Sequence, residues 1–448
     1  MIDRDDAGVP VRATALLASA ATTMITPARP GPLAGYAARA GAVSTGTHDD
    51  LAAGAVWLRS GPDDAGLIWL ALDVIGVTPT LRDVCRRRLA MVFDRVPELI
   101  IAASHTHAAP SGWVGSIHPG HPADVDPVAV AELGERLSGL FAAVHDQSAV
   151  EVRPTFAERP VAGVGSNRLH PGGPYDPTVG ILTLQRISDD KPAAVIIDHG
   201  CHPTVLPAAN LQHTADWPGA CRRRISAALP GEPPVLFLQG AAGDISTRFV
   251  RSGQTFAEAD RIGARLADQV LEASLGARSV DGAPMIIRSG LLVPGRVVPD
   301  HDQARVAVAE ADAALAALPA EVDHGPTRIA QTRLDGARVL AELAAADLPD
   351  RWTLPITAVA LGDLAWIHLP VEPFASLGLR IKRASPYRRT RVIGYTDGYF
   401  GYLPDAEAIA NGSYEALSSL FDEAGAEAVV AGAVTLLTTL HRQAPHDL

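Results

Sequence analysis

Short apolar runs alternate with helix-like segments through the first two-thirds of the chain, and this alternation constrains the fold more than any other feature. The runs at 67–74, 99–103, 193–198 and 235–239 are β-branched or leucine-rich and end at turn residues, which predicts buried strands. Segments 78–93, 128–144, 256–275 and 414–441 predict helices. Strands that alternate with helices are typical of α/β proteins, so we predict a layered α/β domain with a mixed sheet.

Two further segments add to this core. From 302 to 348 the chain is rich in Ala, Glu, Asp and Arg, with a break at His324-Gly325-Pro326, which predicts an inserted helical hairpin. Apolar runs flank Gly362-Asp363 within 354–369 and predict a β-hairpin. Because no repeat, low-complexity tail or linker is evident, we predict one catalytic domain over 1–448.

Charge argues against some classes of partner. A net charge of −12 and a pI near 5.6 disfavour a protein that binds nucleic acid or an anionic membrane surface. The basic clusters 86–88 and 222–224 lie among apolar residues at helical spacing, and we interpret them as solvated helix faces.

The cellular compartment is predicted from cysteines and apolar runs. Three scattered cysteines fit a reducing compartment, so we expect a cytoplasmic rather than a secreted protein. No apolar run reaches the roughly 18 residues of a membrane span, and we expect no stable membrane insertion. Residues 13–21 are interpreted as a first strand, with a signal peptide as the alternative. A homo-oligomer is compatible with the sequence.

Histidines follow the strand-like run at 99–103, in Ser104-His105-Thr106-His107. If the strand continues, His105 and His107 project from one face, because side chains alternate with a period of two. Two such imidazoles can bind a metal together or divide into a ligand and an acid/base. Taken alone, the pair is more typical of two surface histidines.

Polar residues also end the runs at 193–198 and 235–239. His199, Cys201 and His202 follow the first run, and Cys201, which lacks a spaced partner, is interpreted as a packing residue. Ser246 follows the small residues 240–243 after the second run. It is either a nucleophile or a helix N-cap, and by itself the cap is the more common role.

The last third of the chain contains two more candidate segments. Glu372 lies between apolar stretches, where burial requires a partner or a metal; an exposed loop glutamate is the alternative. Aromatic residues cluster at 394–402 and Tyr414 follows them, a pattern that forms a core more often than a catalytic site.

In order, these blocks resemble the neutral/alkaline non-lysosomal ceramidase family over most of the chain. Ser104-His105-Thr106-His107-Ala108-Ala109-Pro110 is similar to the family's T-H-T-H-S-G-P segment. The other similar blocks are Ile25-Thr26-Pro27, Gly35-Tyr36, His48-Asp49-Asp50-Leu51, Cys201-His202-Pro203-Thr204, Ala215-Asp216-Trp217-Pro218-Gly219, residues 240–246, Glu372-Pro373-Phe374 and Gly401-Tyr402.

The resemblance implies site residues. Its zinc ligands would be His105, His202, Glu372 and Tyr402. The other implied residues are His107 as an acid/base, Ser246 as a nucleophile or orienting group, and Arg168 and Tyr414 as donors to the substrate carbonyl. His199 is the rival of His202 as a ligand, and the Cys-His-Pro-Thr frame favours His202.

The implied activity is zinc-dependent hydrolysis of a linear N-acyl amide bond in a small or lipid-like substrate, with water activated by Zn²⁺. Alternatives are an ester or lactone substrate at the same site, an acyl-enzyme on Ser246, and a non-catalytic metal-binding module. A nucleophile-elbow serine hydrolase is disfavoured because no G-x-S-x-G surrounds Ser246.

Two departures from the family affect the expected substrate. The sequence stops at Leu448, so we expect no C-terminal immunoglobulin-like domain of the kind carried by ceramidases that act on membrane ceramide. Gly401-Tyr402-Leu403-Pro404 replaces the family's β-branched run, which predicts a different pocket.

Overall fold

The computed structural model describes residues 16–117, 123–280, 285–295, 300–318 and 324–443. The strands are β1 Leu16–Met24, β2 Gly46–Thr47, β3 Ala52–Arg59, β4 Leu67–Leu72, β5 Glu98–Ala103, β6 Val150–Pro160, β7 Ser166–Asn167, β8 Thr178–Arg186, β9 Pro192–His199, β10 Gln212–His213, β11 Val235–Gln239, β12 Ile245–Ser246, β13 Arg278–Ser279, β14 Met285–Leu292, β15 Leu354–Leu361, β16 Leu364–His368, β17 Glu372–Pro373, β18 Arg389–Ile393 and β19 Tyr402–Leu403. The helices are α1 Pro79–Ala90, α2 Pro127–Asp146, α3 Asp216–Ala228, α4 Phe256–Ser274, α5 His301–Ala316, α6 His324–Ala345, α7 Ala375–Ala384, α8 Ala406–Ala410, α9 Tyr414–Leu417 and α10 Glu423–Gln443.

Two sheets hold most of the strands. The larger sheet has the order β11-β9-β8-β6-β1-β3-β4-β5, with β13 beside β6. Its pairs β4–β5 and β9–β11 are parallel, and the other neighbours are antiparallel. The smaller sheet has the order β14-β15-β16-β18, in which β16 and β18 are parallel. The predicted mixed-sheet α/β fold is confirmed.

The hydrophobic clusters show four layers. One cluster joins the two sheets face to face, and within it Trp69 of β4 packs edge-on against Trp366 of β16 with ring centroids 5.6 Å apart. Two clusters cover the outer face of the larger sheet, one with α1 and α2 and one with α3 and α4. A fourth packs α7 and α10 on the outer face of the smaller sheet. Strands such as β4, β11, β15 and β16 are thus buried on both faces, which explains why they are nearly continuous apolar runs.

The four predicted strands, the first strand and the β-hairpin are all present, with ends that differ by a few residues. The single helix predicted over 414–441 is wrong: α9 ends at Leu417 and α10 begins at Glu423. Between them, Ser419 Oγ donates to the Tyr402 carbonyl (3.0 Å) and accepts from Phe421 N (2.9 Å). These bonds divert the chain from a helical path.

Two other details differ from expectation. The predicted break at His324-Gly325-Pro326 falls inside α6, whose first turn accommodates the proline. Arg222 is not merely part of a solvated face, because its Nη2 lies 2.5 Å from the buried Asp73 Oδ2.

One described helix, α10, is long and apolar enough to span a membrane, with a mean hydropathy of 1.3. Val429, Ala433 and Leu437 of this helix are fully buried against the smaller sheet. In this fold α10 is therefore a core helix, and its apolar composition is explained by that burial.

Candidate metal centre and active-site cleft

The candidate site forms where several strands end at one edge of the fold. His105 follows β5 and His202 follows β9, whereas Glu372 lies in the short strand β17 after β16 and Tyr402 in the short strand β19 after β18. Each of these strands has a parallel neighbour, and the carboxyl ends of parallel strands are where ligands gather in α/β proteins. The alignment of these strand ends thus brings side chains nearly 300 residues apart in sequence into one cluster.

His105 reaches the site through an unusual backbone conformation. Strand β5 ends at Ala103, and His105 has a φ of 66°, in the left-handed region that few non-glycine residues adopt. Its backbone N donates to the Val74 carbonyl (3.0 Å) and its Nδ1 lies 2.6 Å from the Ile75 carbonyl. The prediction of one strand face for His105 and His107 is therefore wrong, although both rings do face the site. Strain of this kind is concentrated at functional sites.

His202 is held in the same way as His105. Its Nδ1 lies 2.7 Å from the Ala242 carbonyl and 3.1 Å from the Ile245 carbonyl. Because a carbonyl can only accept, both histidines carry the proton on Nδ1 and present an unprotonated Nε2. A backbone carbonyl that fixes the tautomer in this way is typical of histidines that bind metals.

The rival histidine, His199, does not share this environment. Its Nε2 lies 3.2 Å from the Tyr175 hydroxyl, and its ring packs against Trp217. His202 rather than His199 therefore belongs to the cluster with His105.

Glu372 completes the centre of the cluster and is not an exposed loop residue. It is 1% exposed, and its Oε2 lies 3.1 Å from His202 Nε2 and 3.5 Å from His105 Nε2. The Tyr395 hydroxyl donates to Oε2 (3.3 Å) and the Tyr399 hydroxyl donates to Oε1. The two tyrosines fix the carboxylate in its orientation toward the imidazoles.

Burial keeps the imidazoles neutral. Burial lowers the pKa of His105 to about 4, with Glu372 acting in the opposite direction. Burial also lowers the pKa of His202 well below its usual value, and Arg168 adds to this effect. At neutral pH two nitrogen lone pairs therefore face a carboxylate oxygen without a proton between them, an arrangement that is repulsive unless a cation is shared.

His107 lies beside this group and lines the adjacent cleft. Its Nε2 is 3.3 Å from His105 Nε2, and the nitrogens of His105, His107 and His202 all lie within 4.8 Å of one another. Burial and the neighbouring imidazoles lower the pKa of His107 well below its usual value, so its imidazole is neutral at neutral pH. Its Nδ1 has no hydrogen-bond partner among the described residues.

The N-terminal loop fixes the position of His107. The Tyr36 ring packs against the imidazole with centroids 4.8 Å apart. A Cβ at Gly35, whose φ is +98°, would lie 2.6 Å from the ring, so only glycine fits there. Arg39 donates from Nη1 to the His107 carbonyl (2.5 Å) and to the Ala34 carbonyl (2.6 Å).

Tyr402, Arg168 and Tyr414 lie together at one side of the cluster. Tyr402 pairs in register with Glu372, and its ring lies 6.4 Å from that of His202. Arg168 Nη2 donates to the Tyr402 hydroxyl (3.1 Å), and the rings of Tyr402 and Tyr414 are 6.1 Å apart. Burial raises the pKa of Tyr402 well above its usual value, whereas Arg168 acts in the opposite direction.

Ser246 lies at the cleft but is not a helix N-cap. It belongs to β12, forms a bridge with His202, and accepts a hydrogen bond at Oγ from Arg248 N (3.2 Å). The cleft has a volume of about 1260 Å³. Residues that line it include His107, Arg168, Ser246, Tyr402 and Tyr414, with α6 contributing one wall.

The donor set fits a zinc ion. Two atoms bound to one tetrahedral zinc at 2.0–2.1 Å lie roughly 3.4 Å apart. The observed separations of 3.1 and 3.5 Å between Glu372 and the two histidines match that spacing. The buried His202 Nε2 also has no hydrogen-bond partner among the described residues, as expected for a nitrogen that faces a shared centre. Imidazole and carboxylate ligands suit zinc.

Several residues that build this site were not predicted from the sequence. Tyr395 and Tyr399 belong to the 394–402 aromatic cluster, for which a core role was expected, yet both hold Glu372. Gln239 was not predicted either; its Nε2 donates to the Cys201 carbonyl (2.9 Å) and to the Ser104 carbonyl (3.3 Å) and so ties two histidine loops together. The available signal was that these residues end or follow strands, as the histidines do.

Comparisons with known proteins bear on the fold. No protein-family model matches the chain, and no curated protein matches it either. Among solved structures, the neutral ceramidase from Pseudomonas aeruginosa is similar with a TM-score of 0.77 and 17% identity. A ceramidase complexed with C2 is similar with a TM-score of 0.75 and 16% identity. In both, the match covers 97% of this chain and 76% of the other. The resemblance inferred from the motifs is therefore confirmed at the level of architecture, and the chain has the fold of the neutral ceramidases.

Proposed function

We propose that the protein is a zinc-dependent hydrolase that cleaves an N-acyl amide bond in a small or lipid-like substrate. One observation carries the proposal: two neutral imidazoles, each fixed by a backbone carbonyl at Nδ1, direct Nε2 toward a buried carboxylate. A divalent cation is the group that would make this arrangement favourable. His105, His202 and Glu372 would hold it, with Tyr402 as the fourth ligand.

The cleft distinguishes this proposal from a structural metal site. A structural zinc is enclosed by its ligands, whereas a catalytic zinc keeps a position open to substrate. Here a cleft of about 1260 Å³ adjoins His107 and Ser246. When bound, zinc supplies Lewis acidity that polarises a carbonyl and lowers the pKa of water.

The chain's own residues would orient the substrate and move protons. Arg168 and Tyr414 line the cleft and would donate hydrogen bonds to the carbonyl oxygen as negative charge develops there. One well-placed donor of this kind contributes about 3 to 4 kcal/mol to the transition state. His107, neutral at pH 7 and lining the cleft beside the cluster, would accept a proton from the attacking water and pass it to the departing amine.

Ser246 is better suited to orienting the substrate than to forming an acyl-enzyme. A serine nucleophile requires a base that is itself oriented by a third group. His107 Nδ1 has no hydrogen-bond partner among the described residues, so no third group orients His107 as a base for Ser246. Ester and lactone substrates remain the alternative, since the same site would act on either acyl group.

We further propose that the chain acts as one catalytic domain in a reducing, cytoplasmic compartment. In support, the two sheets share a hydrophobic layer, and Cys85, Cys201 and Cys221 are all free and buried.

Zinc analysis combined with assays of N-acyl compounds of graded chain length tests the proposed function. The wild type is expected to hold one zinc and to hydrolyse members of the series, with matched esters as a comparison. His202→Ala is expected to lose both zinc and turnover. His199→Gln is the matched control, because His199 ends the same strand but lies outside the cluster, and it is expected to keep both. Zinc and turnover retained in His202→Ala would refute the proposal.

A second pair of variants identifies the fourth ligand. Tyr402→Phe is expected to weaken zinc binding. His107→Ala is expected to keep zinc while turnover falls by about 10² to 10⁴, the usual contribution of a general acid/base. If His107→Ala loses zinc and Tyr402→Phe does not, the three imidazoles form the ligand set instead.

A further inference from the structure

A buried ion pair lies at the edge of the cleft, between Arg168 and Glu415. Arg168 Nε donates to Glu415 Oε1 at 2.7 Å, and the two side chains are 16% and 6% exposed. The same guanidinium donates from Nη2 to the Tyr402 hydroxyl (3.1 Å) and lies over that ring. Glu415 therefore holds Arg168 at Nε, while the adjacent Nη2 of the same guanidinium is bonded to Tyr402.

Glu415 lies in a turn against which the helical insertion packs. Glu415 lies in α9, a single turn whose first residues are capped by Ser413 Oγ, which accepts from Ala416 N (3.2 Å). Helix α6 packs directly on this turn at Gly336, where an added Cβ would lie 3.1 Å from the Leu417 side chain. The insertion thus packs against the turn that carries Glu415.

Two features indicate that Glu415 does more than neutralise a charge. Its Oε2 is buried and has no hydrogen-bond partner among the described residues, a costly state for a carboxylate. Of the other carboxyl groups that line the cleft, Asp244 is held by Asn167 and Ala375, and Asp405 by Ser376 and Ala408, whereas the carboxylate paired with Arg168 is that of Glu415. The guanidinium is planar, so the bond at Nε and the bond from Nη2 to the Tyr402 hydroxyl together define its orientation beside the cleft.

We propose that Glu415 is a positioning residue that fixes Arg168 against Tyr402, so that the guanidinium is aligned for a substrate carbonyl. The kinetic consequence of this inference rests on the proposed hydrolase function. The structural consequence, the orientation of Arg168, does not.

A double-mutant cycle with Glu415→Gln and Arg168→Met tests the inference on the full-length zinc-loaded protein. Glu415→Gln alone is expected to lower kcat/KM roughly 10- to 100-fold, mainly through kcat, with zinc content unchanged. In the Arg168→Met background the same change is expected to cost less than about threefold, because the group it positions is gone. Glu427→Gln, which breaks an exposed Arg380–Glu427 pair, is the matched control and is expected to leave kcat/KM unchanged.

Two results would overturn the inference: wild-type kinetics in Glu415→Gln, or an equal loss in both backgrounds. A crystal structure of Glu415→Gln provides a readout that does not depend on activity. There Arg168 Nη2 is expected to lie beyond 3.5 Å from the Tyr402 hydroxyl, and an unchanged 3.1 Å contact contradicts the proposal. If the wild type hydrolyses no N-acyl compound, the proposed function fails while this structural test still decides the role of Glu415. Should Glu415→Gln not fold, Glu415→Asp replaces it, with the same coupling expected.

Discussion

The hydrogen bond from Tyr399 to Glu372 offers a direct test of the metal centre. Tyr399→Phe removes a donor to a buried carboxylate while leaving the ring in place. A hydrogen bond to a charged group contributes about 1.5 to 3 kcal/mol, which corresponds to a factor of roughly 10 to 150. Loss of a group that orients a metal ligand typically weakens metal binding by about 10- to 100-fold. We therefore expect the Kd for zinc to rise by about 10- to 100-fold in Tyr399→Phe.

Competition with a chromophoric chelator at neutral pH measures this change. The matched control is Tyr175→Phe, whose hydroxyl lies 3.2 Å from His199 Nε2 and does not contact Glu372. The control is expected to bind zinc as the wild type does. An unchanged zinc affinity in Tyr399→Phe, or an equal loss in the control, would show that Glu372 is not oriented by Tyr399 for metal binding.

Two further predictions concern the insertion and acid stability. Gly336→Ala is expected to lower kcat/KM severalfold, because the new Cβ would lie 3.2 Å from the backbone of Tyr414. Gly139→Ala, in open space on α2, is expected to leave kinetics unchanged and to add up to about 1 kcal/mol of stability; equal kinetics in the two variants would count against a role for α6. Burial lowers the pKa of His368 to about 3. Below pH 6.5 the unfolded state therefore binds a proton at this residue while the folded state does not, and the free energy of unfolding falls as the pH falls. His368→Gln, which keeps an acceptor for Trp69 Nε1, is expected to reduce the loss between pH 6.5 and 5 by about 1.5 kcal/mol in urea titrations, and an unchanged pH dependence contradicts this.

The strands were predictable because burial on both faces leaves a strong local signal. Residues 235–239, for example, form a continuous apolar run that matches β11 from Val235 to Gln239. The helix over 414–441 was predicted wrongly because its interruption depends on Ser419, which bonds to the Tyr402 carbonyl. A contact between distant residues leaves no periodicity in the local sequence.

The candidate ligands were found through motif order, whereas their geometry was not. The sequence placed His105 and His202 after strands, but it gave no indication of the left-handed backbone at His105. Hydrogen bonds to the carbonyls of Val74 and Ile75 hold that conformation. Both residues lie in the loop that follows β4, the strand next to β5. Local propensity alone would have favoured a continued strand.

By itself the sequence determined the α/β class, the positions of most strands and helices, and the residues with the chemistry to bind a metal, because hydrophobic periodicity and residue type are local properties. Only the tertiary structure decided which of these residues meet. The burial of Glu372 beside the histidines depends on how parallel strands align their ends, and the pairing of Arg168 with Glu415 depends on how the loops and helices pack around the cleft. Side chains almost 300 residues apart become neighbours through that alignment, and local sequence patterns cannot predict such contacts.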